Sequence, residues 1–218
     1  LLEAVPRHLR LKAAWLEQEL RRWAPHTLIL LDEPNLAGVS SSSTLSREQI
    51  VSLLEEVLSG IEGIKGIHAC GEVDWGLLFK TSTNVLSLDA YAYGHTLLPY
   101  AADVARFLER KGIIAWGIVP VSEMAQQETT ESLIERLEQI LEALVRAGVP
   151  REALYRRGLV TPSCGLEALT PALAEQALEL TAALSQACAE RFLPHEEKVT
   201  PKIPQDSETP SPGDVTKR

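Results

Sequence analysis

Short apolar runs alternate with amphipathic stretches along this chain, and that alternation predicts its elements. Leu11, Trp15, Leu16, Leu20 and Trp23 recur at helical spacing, which predicts a helix over 9–23. His26-Thr27-Leu28-Ile29-Leu30-Leu31 follows, an apolar run that closes on Asp32-Glu33-Pro34. A run without polar alternation predicts a strand buried on both faces, as in a parallel sheet. A Gly/Ser loop over 38–43 comes next. Ser46 and Gln49 then have the spacing of a capping box and predict a helix behind them.

The same alternation continues. Strands are predicted over 66–70, 85–90, 113–118 and 159–161. Helices are predicted over 73–80, 97–110, 130–147 and 171–192, with Gly148 closing the third of these. About five βα units in series predict an α/β fold, a parallel sheet with helices packed on it. In a (β/α)8 barrel the functional site gathers at the C-terminal strand ends. Asp32, Glu33, His68, Cys70, Asp89 and Cys164 all fall at such ends. A doubly wound sheet would also use its strand ends, but no Gly-rich phosphate loop is present. The expectation is therefore the C-terminal portion of a (β/α)8 TIM barrel, over 1–193, with roughly three N-terminal units missing. Position 1 is leucine and the only methionine is Met124, which predicts a processed chain or a piece of something longer. From 194 to 218 the chain is rich in Pro, Lys, Glu, Ser and Thr, which predicts a disordered tail.

Composition narrows the class. The chain has 218 residues, 45% hydrophobic and 23% charged, enough for one domain with a sizeable core. A net charge of −9 argues against a general nucleic-acid surface. No signal peptide and no membrane-length apolar stretch stand in the sequence, so a cytoplasmic protein is expected. Three cysteines without a secretory leader make metal binding or catalysis a better expectation than a disulfide framework.

The chemistry concentrates in His68-Ala69-Cys70 and in Cys164 of Thr161-Pro162-Ser163-Cys164-Gly165. One imidazole and two thiolates suit Zn²⁺, and three ligands from separate strand ends leave a coordination position open, as catalytic zinc requires. A zinc finger would instead cluster its ligands in a short loop. Against this stands the plainer view of Cys70 and Cys164 as small buried hydrophobes and of His68 as a core histidine. The set at matching strand ends favours zinc. Tyr91, Tyr93 and Trp116 are expected to pack or line the pocket, Cys188 to sit in a helix core, and Glu72 to face solvent or to supply a further ligand.

At these residues the chain resembles the superfamily that joins cobalamin-independent methionine synthase to uroporphyrinogen decarboxylase. Its zinc-dependent thiol methyltransferases carry a His-x-Cys after one strand and a Cys-Gly after the last, matched here by His68-Ala69-Cys70 and Cys164-Gly165. The synthase branch has an acidic zinc ligand on the strand between, and Asp89 of Leu86-Ser87-Leu88-Asp89 occupies that place. Leu31-Asp32-Glu33-Pro34 looks like the branch's Asp-Glu-Pro, whose Asp holds the amino group of homocysteine. The resemblance covers about residues 10 to 192 and corresponds to the C-terminal part of the family barrel. The branch's His-Ser-Pro is replaced by Trp116-Gly117-Ile118-Val119-Pro120-Val121-Ser122, and the folate-binding N-terminal barrel is absent. A short synthase that takes its methyl group from a corrinoid protein is the closer comparison.

The resemblance implies a methyltransferase of methionine biosynthesis with Zn²⁺ as cofactor, held by His68, Cys70, Asp89 and Cys164. The substrate would be a small thiol, homocysteine above all, bound by Asp32 and Glu33. A corrinoid protein or folate would donate the methyl group, with no catalytic residue beyond the metal site. Two alternatives compete: a metal-free decarboxylase of porphyrinogen-like substrates, and a non-catalytic half barrel. An open half barrel exposes sheet edges and would form a homo-oligomer, bind a complementary N-terminal chain, or aggregate.

Overall fold

The structure is a computed structural model and describes residues 3–34, 36 and 45–193. The expected Gly/Ser loop and the expected tail lie outside the described residues. In chain order the elements are α1 (Ala4–Leu20), β1 (Leu28–Asp32), α2 (Arg47–Leu58), β2 (Ile64–Ala69), α3 (Trp75–Leu78), β3 (Val85–Leu88) and α4 (Ala90–Tyr93). They continue with α5 (Ala101–Glu109), β4 (Ile113–Val119), α6 (Thr130–Arg146), α7 (Arg151–Arg156), β5 (Gly158–Pro162) and α8 (Pro171–Phe192).

The five strands form one parallel sheet in the order β1-β2-β3-β4-β5. Sequential order is how a βα barrel winds; a doubly wound sheet reverses direction at a switch point. The fold is therefore α/β with the topology of a partial βα barrel. Among the described residues no further strand pairs with the outer edge of β1 or of β5.

The register divides the strands into two faces. One row, Leu31, Ile67, Leu86, Ile114 and Gly158, and the row above it, Ala69, Leu88, Trp116 and Val160, turn toward the helices. Their buried members share a core with Leu54 and Leu58 of α2, Val104 and Phe107 of α5, Leu137 and Leu141 of α6, and Leu184 of α8. The alternate row, Asp32, His68, Ser87, Ala115 and Leu159, crosses all five strands on the opposite face. None of these residues belongs to the helix-side core. The central strands are buried on both faces, as an unbroken apolar run predicts, but the flanks are not. Leu28, Leu30, Ile64 and Leu159 are 42–44% exposed.

Local chemistry accounts for most element bounds. Ser46 and Gln49 form the expected capping box on α2. Thr129 and Ser132 form a second one on α6, a pairing not read from the sequence because Ser replaces the usual Glu or Gln. Thr170 caps α8, which starts at Pro171 as expected. Two expectations are corrected. The single helix over 97–110 is a 3-10 stretch over Gly94–Tyr100 followed by α5, because Pro99 cannot continue an α-helical ladder. The strand over 85–90 stops at Leu88, since Asp89 already caps α4. The short α7 was not expected at all.

One buried carboxylate ties α1 to the sheet. Glu17 is 3% exposed. It accepts from Thr27 Oγ1 at 2.8 Å, from Glu62 N–H at 2.8 Å and from Gly63 N–H at 2.6 Å, with Arg21 at 3.4 Å. Burial alone would raise its pKa; the amide of Glu62, the Thr27 hydroxyl, the amide of Gly63 and the Arg21 charge together hold it below the ordinary carboxylate range. A Cβ on Gly63 would stand 2.5 Å from the Glu17 carboxylate, so the close approach needs glycine there. Glu17→Ala should cost about 2–4 kcal/mol, because it leaves buried donors unpaired. Gly63→Ala should destabilise through the same contact. The folded pKa lies below the unfolded one, so the stabilisation is complete above the ordinary carboxylate range and is lost as pH falls through the folded value. Denaturant titrations at several pH values should therefore show Glu17→Ala closest to wild type in acid.

Candidate metal centre

The site is assembled by β2, β3 and β5. His68 lies on the face opposite the helix-side core, near the end of β2, and Cys70 follows two residues later on the same side. Gly71 comes next with φ +107, a left-handed conformation that glycine takes without strain. The chain thus turns away directly after the thiol. Cys164 comes from the loop beyond β5, across the sheet.

Ser163 holds that loop in place. It is 6% exposed; its N–H donates to Val119 O at 2.8 Å and its Oγ accepts from Val121 N–H at 3.2 Å. The β4–β5 register shifts between Gly117 and Val119, where Pro162 pairs at the end of the edge strand. A Cβ on Gly117 would meet Leu88 O at 2.4 Å and Ser163 Cα at 2.7 Å, so only glycine lets the Cys164 loop come this close. Sequence reasoning passed over Ser163; its place next to Cys164 was the available signal.

The three donors converge. His68 Nε2 is 2.8 Å from Cys70 Sγ, and the two sulfurs are 3.5 Å apart. All three donor atoms lie within 4.8 Å of one another. The sulfurs are free thiols, beyond the about 2.05 Å of a disulfide. A tetrahedral ion with metal–sulfur bonds of about 2.3 Å needs sulfurs about 3.8 Å apart. The second ring nitrogen of His68, Nδ1, is 2.8 Å from Ser87 Oγ on the neighbouring strand.

Electrostatics make a cation fit. Burial pushes the Cys70 thiol up to about 12, helped by its hydrogen bond to Cys164 and by the negative charge of Cys164, Asp89 and Asp32. Without a cation Cys70 is therefore a neutral thiol at physiological pH. A dication reverses that logic and favours the thiolate. Two thiolates and an imidazole are the donors zinc prefers. These residues form a His68–Cys70–Cys164 group able to hold a metal ion.

The other expected site residues separate. Asp89 stands outside the donor group. Its Oδ1 accepts from Ala92 N–H at 2.9 Å, the N-cap role that short acidic side chains fill well. Burial raises its pKa, opposed by the amide of Ala92, by His68 and by the amide of Tyr91. Glu72 is exposed and also outside the group. Asp32 is exposed at the end of β1, in register with His68. Glu33 turns the other way. Its N–H donates to His68 O at 2.9 Å, while its side chain lines a cavity of about 310 Å³ with Leu9, Leu36 and Leu54 on the helix side. Burial, and then Asp32, raise its pKa. Asp32 and Glu33 thus fall on opposite sides of the sheet.

Tyr91 packs and binds outside the site, donating to Glu128 Oε1 at 2.6 Å under the Arg136 guanidinium. Trp116 is core on the helix side, as is Cys188. No protein-family model matches the chain, and no curated protein does either. No helix among the described residues is long and apolar enough to cross a membrane.

Two outcomes are expected of purified, reduced protein. Elemental analysis should find about one zinc per chain, lost in Cys164→Ser and kept in Cys188→Ser. Titrating zinc into the metal-free protein in weak buffer should acidify the solution, because at least the Cys70 proton must leave.

Proposed function

We propose that this chain carries the metal centre of a zinc-dependent methyltransferase that acts on a small thiol, homocysteine in the first place. The observation that supports this is the convergence of His68 Nε2, Cys70 Sγ and Cys164 Sγ at the C-terminal end of a parallel sheet, on the face opposite the helix-side core. With three protein donors in the group, a tetrahedral ion keeps a position for substrate. A dication held by His68, Cys70 and Cys164 would supply the Lewis acidity that lets a substrate thiol lose its proton to solvent at neutral pH.

This chain's residues do the rest by placement. With a cation in place, Cys70 and Cys164 would be thiolates and would donate charge that keeps a substrate sulfur electron-rich. Asp32, in register with His68 and exposed, accepts hydrogen bonds from the substrate ammonium. Glu33, on the helix side, stays out of substrate binding. Asp89 lends negative charge near Cys70 and shapes the pocket by holding the turn of α4. The methyl group comes from a corrinoid protein or a folate that reaches the open face. A decarboxylase of the same architecture would leave the three soft donors without a purpose.

The outer edges of β1 and β5, beside the exposed Leu28, Leu30 and Leu159, are where a second copy or a complementary N-terminal chain would add strands. Activity then belongs to that assembly.

The assay is methyl transfer from a methyl-corrinoid or methyl-folate to homocysteine, read as methionine formed by the zinc-loaded protein, alone and in its assembly. Cys70→Ser should abolish it. Asp32→Asn should weaken homocysteine binding about 10- to 100-fold, the worth of a hydrogen bond to a charged group, with zinc content unchanged. A fully zinc-loaded assembly that transfers no methyl group from either donor would overturn the proposal.

A further inference from the structure

Ser87 is placed to decide which nitrogen of His68 faces a metal. It sits on β3 directly across from His68, on the same face, and is 5% exposed. Its Oγ is 2.8 Å from His68 Nδ1, on the side of the ring opposite Cys70. On the next strand the register places Ala115, whose methyl group offers the Ser87 hydroxyl no rival partner.

We propose that Ser87 is a positioning residue that directs His68 to bind the metal through Nε2. This inference rests on the metal-centre reading above. The imidazole has one lone pair free when neutral, and that lone pair must face the ion. When Ser87 Oγ accepts from Nδ1–H, Nε2 is left unprotonated toward the two sulfurs. When no ion is bound, the same hydroxyl can donate to Nδ1 instead, and Nε2–H then faces Cys70. A hydroxyl serves both states, whereas a carboxylate or a backbone carbonyl could only accept. Ser87 thus keeps the ring in one orientation whether or not the site is loaded.

Two measurements test it, neither of which reads methyl transfer. Competition against a chelator should show zinc bound about 10- to 100-fold more weakly by Ser87→Ala than by wild type, with Ser87→Thr restoring most of the affinity. The thermal midpoint of metal-free Ser87→Ala should stay close to wild type, which separates positioning from folding. Nitrogen-15 NMR of zinc-loaded wild type, labelled at histidine, should find His68 protonated at Nδ1 and metal-bound at Nε2. This second measurement needs no variant and decides alone if a substitution fails to fold. Equal zinc affinity in Ser87→Ala, or metal on Nδ1, would overturn the role of Ser87 and leave the metal centre standing. A wild-type chain that binds no zinc would overturn both readings together.

Discussion

The strict alternation of side chains along a parallel strand organises this molecule. Each strand must give one set of residues to the helices and the other to the opposite face. Because all five strands run the same way, their C-terminal ends share one rim. The row Asp32, His68, Ser87, Ala115 and Leu159 is the direct product, one residue from each strand on one face. A one-residue slip of β2 would bury His68 among the helices and expose Ile67. The large apolar side chains Ile67, Leu86 and Ile114, each fully buried, oppose such a slip and so keep the imidazole on its face.

The site inherits a tension from this arrangement. Burial and crowding bring two thiols and two carboxylates near one another, and Cys70 answers by holding its proton. A cation relieves the crowding, so the geometry is complementary to a charge more than to any one side-chain partner. The groups that keep the donors in place are small: Gly71 turns the chain, Gly117 admits the Cys164 loop, Ser163 pins that loop to β4, and Ser87 orients the ring. Each acts through close approach or a single hydrogen bond, and each is replaced badly by a larger residue.

The helix layer is uneven, and the unevenness follows the sheet. The central strands lie under helices whose buried residues form one core, and they are covered on both faces. The flanking strands show apolar side chains at their open sides. α1 buries only Pro6 and Glu17 and leaves Leu11, Trp15 and Leu20 exposed. It is held less by apolar packing than by the Glu17 carboxylate and the amides of Glu62 and Gly63. The N-terminal ends of β1 and β2 are therefore secured by a polar knot.

Much of this was legible in the sequence. Apolar runs and caps located all five strands and the long helices, because periodicity and capping are local properties. His68, Cys70 and Cys164 could be grouped because soft donors at strand ends share a rim in any parallel sheet. What only the tertiary structure decided was direction. Asp32 and Glu33 are neighbours in sequence, yet strand alternation sends them to opposite sides of the sheet. The family resemblance implies Asp89 as a ligand, but the chain turns into α4 there and the carboxylate accepts from Ala92 N–H. Ser87 and Ser163 carry no signal as isolated serines; their roles exist only through partners 19 residues away at His68 and 42 residues away at Val121. Sequence determines which residues can do chemistry and at which strand end they stand. Register and turns, set by packing across the whole sheet, determine which of them meet.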